Sequence, residues 1–185
     1  MEDMMEKILD EVSTCVRSVS KESLAQARDL IEARHRIFVA GAGRSGLCMR
    51  ALGMRLMHIG KVAYVVGETT TPSVRAMDLL IIGSGSGRTK SLIGMATEAK
   101  RLGARILLFT TDPASPLAEM ADQRVVIPAI SYRVVDEKQR QNTVQPLGTL
   151  FEQSLFLVCD YLVLGLMQCN DVNVSEMAER HANLE

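Results

Sequence analysis

The stretch Gly83-Ser84-Gly85-Ser86-Gly87-Arg88-Thr89 constrains this chain most, because it sets three glycines and three hydroxyls directly behind the apolar run 79–82. Glycines let the backbone turn tightly and bring its N–H groups close to an anion, and Ser and Thr hydroxyls add donors without adding charge. The residues that follow, 88–102, carry a helical pattern, so the positive end of a helix points at the same anion. A flexible Gly/Ser linker is the alternative, but linkers are not normally clamped between a buried strand and an amphipathic helix. The composition and its setting describe a phosphate cradle.

A second loop repeats the design. The apolar run 37–40 is followed by Gly41-Ala42-Gly43-Arg44-Ser45-Gly46 and then by a helical pattern ending near Ile59. Gly41, Gly43 and Gly46 satisfy the spacing of a dinucleotide fingerprint, which expects an acid about 20 residues downstream, and Glu68 is available for that role. A dinucleotide site leaves the hydroxyl-rich second loop unexplained. In a doubly wound sheet of order 2-1-3-4-5, strands 1 and 3 are neighbours, and both loops converge on one crevice. One small phosphorylated ligand touched by both loops fits better.

Strand candidates at 37–40, 62–66, 79–82, 105–110 and 125–127 alternate with helices, except between the second and third. That pattern predicts an α/β fold with a five-stranded parallel sheet of order 2-1-3-4-5, flanked by helices. The 185 residues suit a single domain, 1–185. Residues 2–34 read as one long helix, and helices from about residue 149 pack on the domain or in an oligomer. Pro113 and Pro116 mark a turn and a short helix before the last strand.

The formal net charge of −1, the absence of Trp and an aromatic content of 4% offer neither a basic surface nor a stacking platform, so no nucleic-acid partner is expected. Residues 1–10 are acidic and amphipathic, unlike a secretory leader, and the expected location is cytoplasmic. Cys15, Cys48, Cys159 and Cys169 lack metal-binding spacing, so buried reduced thiols are expected and no metal is called for.

Residues 150–167 are apolar almost all round, yet Glu152, Gln153, Ser154 and Asp160 interrupt them without basic flanks. A subunit interface or helix bundle is favoured over a membrane span, and the expected assembly is a homo-oligomer. Glu152 sits between desolvation, which favours its neutral form, and a helix N-terminus, which favours its charge. At a pocket edge such a group can act as a general base; from position alone an ordinary helix-start acid is the simpler reading. His35 reads as surface, His58 as a packed and hydrogen-bonded histidine, and His181 as part of a disordered tail.

The two glycine loops resemble those of the sugar isomerase (SIS) domain. Arg55-Leu56-Met57-His58-Ile59-Gly60, Val66-Gly67-Glu68-Thr69-Thr70-Thr71-Pro72, Gly148-Thr149-Leu150-Phe151-Glu152 and Arg180-His181-Ala182-Asn183-Leu184 narrow the likeness to the 6-phospho-3-hexuloisomerase family, over essentially the whole chain. The resemblance implies interconversion of D-arabino-3-hexulose 6-phosphate and D-fructose 6-phosphate in the ribulose monophosphate pathway, without a redox cofactor. It implies Glu152 as the base, with His181 first and His58 second as the proton shuttle. Ser45, Ser84, Ser86 and Thr89 would hold the phosphate, with Gly43, Arg44, Gly85 and Gly87 completing the pocket of a homotetramer. Another phosphosugar aldose–ketose isomerase and a sugar-phosphate-sensing domain are the alternatives.

Overall fold

The computed structural model describes residues 2–129 and 143–184. Helices α1 (Glu2–Arg17) and α2 (Lys21–Glu32) lead into β1 (Arg36–Gly41), α3 (Gly43–His58), β2 (Val62–Val65), β3 (Leu79–Gly83), α4 (Lys90–Arg101), β4 (Arg105–Thr110), α5 (Pro116–Met120), β5 (Gln123–Val126), α6 (Thr149–Cys169) and α7 (Val174–Glu179). The five strands form one sheet in the order β2-β1-β3-β4-β5, and every pair is parallel. Fold class and strand order are those the sequence predicts.

Apolar residues on consecutive positions suit strands covered on both faces. Ile37, Val39, Leu79, Ile81, Leu107 and Phe109 point into one core, shared with α1, α2, α3 and α6. Phe38, Ala40, Leu80, Ile82, Ile106 and Leu108 point into the other, shared with α4 and α5. Both cores are closed by helix residues that recur at helical spacing, such as Leu92, Ala96 and Ala99 of α4.

The expected single N-terminal helix is two helices. Ser20 is extended and accepts a hydrogen bond from the Ser23 N–H at 3.2 Å, capping α2, while the Ser18 hydroxyl turns back to the Thr14 carbonyl at 2.8 Å. Serine competes for backbone partners and breaks the helix without Gly or Pro. The helix after the second glycine loop starts at Lys90, since Gly87 has φ +60° and Thr89 is extended. The last strand lies two residues earlier than expected at its start, aligned with β4 through Leu107↔Gln123. Cys15, Cys48 and Cys159 are buried as expected, but Cys169, in the last turn of α6, is exposed.

Helix α6 is long and apolar enough to cross a membrane by length and composition, and half of its most apolar window is buried. Leu155, Val158, Leu162 and Leu166 lie in the core with residues of α1, α2 and α3. Phe156, Leu157, Tyr161 and Leu164 face outward.

The turn from β1 into α3 leaves no room for a side chain. A Cβ on Gly46 would lie 2.8 Å from the Gly41 carbonyl oxygen, and one on Gly41 would lie 2.8 Å from the Gly46 Cα. Both obstacles are backbone. Gly46→Ala is expected to cost about 1–3 kcal/mol, read as a lower urea midpoint with an unchanged m-value; an unchanged midpoint would contradict this account of the turn.

Candidate functional site

Gly41 and Gly83 are partners in the β1–β3 register, so the two glycine loops leave the sheet side by side. Above them lies a cleft of about 280 Å³. Three helix N-termini converge on it: Ala42–Ser45 from α3, Thr89 and Leu92 from α4, and Gly148, Phe151 and Glu152 from α6. None of the three has a side-chain cap at its first turn. By contrast α2, α5 and α7 are capped by Ser20, Ser115 and Asn173. The N–H groups that a cap would satisfy thus face the cleft with the positive ends of three helix dipoles.

Ser45, Ser84 and Ser86 line the cleft and are buried, Thr89 borders it, and Gly43, Arg44 and Gly85 complete the wall. Gly43 has φ +56°, a conformation that favours glycine. A Cβ on Gly85 would press on the Phe151 ring at 3.1 Å, so α6 can approach the loop because that position is bare. Gly87 lies outside the cleft: it also needs positive φ (+60°), and a Cβ there would collide with the Ser115 side chain. Its role is to let the loop turn over α5.

Residues that sequence reasoning missed hold this loop in place. The Gly85 carbonyl accepts hydrogen bonds from the Thr110 hydroxyl at 3.0 Å, the Thr111 hydroxyl at 2.9 Å and the Thr111 N–H at 3.0 Å. Arg88 reaches out to Asp112 at 2.7 Å. The signal available for these residues was a Thr-Thr-Asp run at the end of an apolar strand, where a parallel sheet presents its loops.

Glu152 stands in the first turn of α6, largely buried, with Oε2 at 2.5 Å from Arg44 Nε. Cys48 donates to the Glu152 carbonyl at 3.3 Å, and burial together with the nearby carboxylate pushes its thiol above the ordinary range. The thiol therefore stays protonated beside the carboxylate. Glu68, the acid a dinucleotide would require, pairs with Arg50 at 2.6 Å and does not line the cleft. The small volume also suits a compact ligand. Among the described residues no three His, Cys, Asp or Glu side chains cluster as metal ligands.

The histidines are elsewhere in the chain. His58 ends α3, about 22 Å along the helix axis from Gly43 at 1.5 Å per residue. It is 2% exposed, stacks on His181 with ring centroids 5.2 Å apart, and its carbonyl accepts from Arg180 at 2.9 Å. His58 is packed as its position suggests, whereas His181, expected in a disordered tail, follows a short helix that an Asn173–Glu176 capping box starts and Arg180 ends. His35 is exposed.

Residues 29–131, more than half of the chain, match the SIS domain family. The chain belongs to the SIS domain family. Among its relatives, a 3-hexulose-6-phosphate isomerase of Mycobacterium gastri is 44% identical over 96% of this chain and 88% of the relative. One of Bacillus subtilis (strain 168) is 42% identical over 97% and 96%. A solved Methanococcus jannaschii structure, from which a molecular function of 3-hexulose-6-phosphate isomerase was inferred, superposes with a TM-score of 0.84 at 31% identity, covering 100% of both chains. In this SIS domain the two loops meet at the β1/β3 switch point, as in other doubly wound sheets.

Burial first, then the electrostatic influence of Arg55 and of the neighbouring His181 ring, hold the His58 pKa below the ordinary histidine value. The unfolded chain therefore takes up a proton near pH 6.5 that the folded chain refuses, and stability contributed above that pH is lost as pH falls. Between pH 7.5 and 5.5 the parent is expected to lose more stability in urea than His58→Gln; equal losses would contradict this coupling.

Proposed function

We propose that this protein is a 3-hexulose-6-phosphate isomerase, interconverting D-arabino-3-hexulose 6-phosphate and D-fructose 6-phosphate through a 2,3-enediol(ate). The observation that carries the reading is the placement of one carboxylate, Glu152, on the wall of a small cleft ringed by three uncapped helix N-termini. The relatives named 3-hexulose-6-phosphate isomerase, aligned over nearly the whole chain, support it. Fold alone does not choose between catalyst and sensor.

In this reading Ser45, Ser84, Ser86 and Thr89 bind the phosphate together with loop N–H groups, and that remote binding energy orients the reacting carbons. Glu152 removes the C2 proton of the 3-hexulose and returns a proton to C3. The carbonyl moves within one molecule, so the reaction consumes no redox cofactor. In one chain His181 and His58 stand at the far end of α3 from the cleft. A shuttle role for His181 therefore calls for delivery by a neighbouring subunit.

The outward Phe156, Leu157, Tyr161 and Leu164 support a homotetramer, with the apolar face of α6 in an isologous interface. Light scattering at the mass of one chain would contradict that assembly. We place the enzyme in the cytoplasm, in formaldehyde fixation and detoxification by the ribulose monophosphate pathway.

In deuterium oxide, fructose 6-phosphate incubated with the protein is expected to gain deuterium at C3, with Glu152→Gln slower by about 10² or more while substrate still binds. Exchange at C1 instead would mark an aldose–ketose isomerase, and no exchange a sensor. Ser86→Ala is expected to weaken fructose 6-phosphate binding by roughly 1.5–3 kcal/mol, the value of a hydrogen bond to a charged group. Calorimetry showing unchanged affinity would remove Ser86 from the phosphate site.

A further inference from the structure

Enolisation requires something that Glu152 does not supply. When C2–H breaks, its electron pair forms C2=C3 and the carbonyl pair moves onto O3, leaving an oxyanion. Return of a proton to C3 and passage of the O2 proton to O3 complete the transfer, with C2 oxidised and C3 reduced by the same electron pair. Negative charge thus leaves the carboxylate and passes over two vicinal oxygens, and a fixed positive donor beside both lowers the barrier most.

Arg44 stands where such a donor is needed. It sits in the first turn of α3, its Nε 2.5 Å from the Glu152 carboxylate, and among the described residues it is the only positively charged side chain lining the cleft. A guanidinium carries five N–H donors in one plane. One is on Glu152, and the remaining fork has the planar geometry that grips paired oxygens. The side chain is 61% exposed, so it has room to meet a ligand without displacing the fold. The phosphate has other partners, namely buried hydroxyls and the uncapped helix ends.

We propose that Arg44 is a catalytic residue that binds O2 and O3 of the substrate and holds the enediolate charge, while its Nε keeps Glu152 in place. This rests on the reading of the cleft as a site of 2,3-enolisation. Before proton transfer the guanidinium faces the carboxylate; afterwards it faces the enediolate beside a neutral acid. It has an anionic partner throughout, so charge migrates across a fixed cation and no new unpaired charge appears.

Two ligands that share a phosphate and differ at the reacting carbons test the assignment. D-Glucitol 6-phosphate has tetrahedral carbons and no developing charge, whereas 4-phospho-D-erythronohydroxamate is planar, with paired oxygens at the positions of O2 and O3 that mimic the 2,3-enediolate. Arg44→Ala is expected to lower kcat by about 10²–10³ and hydroxamate affinity by a similar factor, leaving glucitol 6-phosphate affinity within about threefold. Added guanidinium ion is expected to restore part of the lost turnover, and Arg44→Lys, which keeps charge without the planar fork, to fall between parent and Ala. Equal losses for both ligands would make Arg44 a phosphate ligand and overturn the proposal. A parent that exchanges hydrogen at C3 beside an Arg44→Ala variant with unaltered kcat overturns the Arg44 role alone. A parent that exchanges none overturns the enolisation reading and this role with it.

Discussion

The site depends on the pairing of β1 with β3. Because these strands are neighbours in space but not in sequence, the chain leaves them toward opposite faces of the sheet: β1 into α3 and β3 into α4. The register Gly41↔Gly83 sets both exits at one height. Bare backbone then permits what side chains would block: Gly46 lets α3 begin immediately over β1, and Gly85 lets Phe151 bring α6 against the second loop. One strand pairing thereby assembles three helix starts from distant parts of the chain around a single cleft.

That assembly separates two electrostatic tasks. In the proposed function anion binding falls to dipoles and hydroxyls, which carry no net charge. Each helix end contributes about 0.3–1 kcal/mol toward an anion, and charge-assisted hydrogen bonds add to it. Among the described residues lining the cleft, full charges are confined to Arg44 and Glu152, which face each other across the junction of α3 and α6. The apolar length of α6 serves the same end: Leu155, Val158 and Leu162 bury it against its neighbours and hold its first turn, with Glu152, at the cleft.

The sheet was legible because buried parallel strands are short apolar runs, as at Leu79–Gly83, and the two glycine loops named the cleft. Glu152 was legible as an odd carboxylate in an apolar helix, but its pairing with Arg44 was not. That contact joins residues 108 positions apart and depends on how α6 crosses α3. The break at Ser20 escaped because serine ends a helix by hydrogen bonding, without the steric signature of Gly or Pro. Gly87 read as a pocket residue because spacing does not separate a glycine facing a ligand from one packed on Ser115. The far placement of His58 and His181 follows from helix length and from the stacking of the C-terminal segment on α3, a tertiary choice with no local pattern.

In the proposed function a phosphorylated ligand is held by neutral donors at the convergent helix starts while its reacting carbons face Glu152. A crystal structure of Glu152→Gln soaked with fructose 6-phosphate distinguishes this arrangement from its alternatives. Phosphate oxygens are expected about 2.7–3.2 Å from hydroxyls of Ser45, Ser84, Ser86 or Thr89 and from loop N–H groups, with C2 and C3 beside residue 152. A phosphate seated on the Arg44 guanidinium with the sugar carbons turned away from residue 152, or bound outside this cleft, would contradict it.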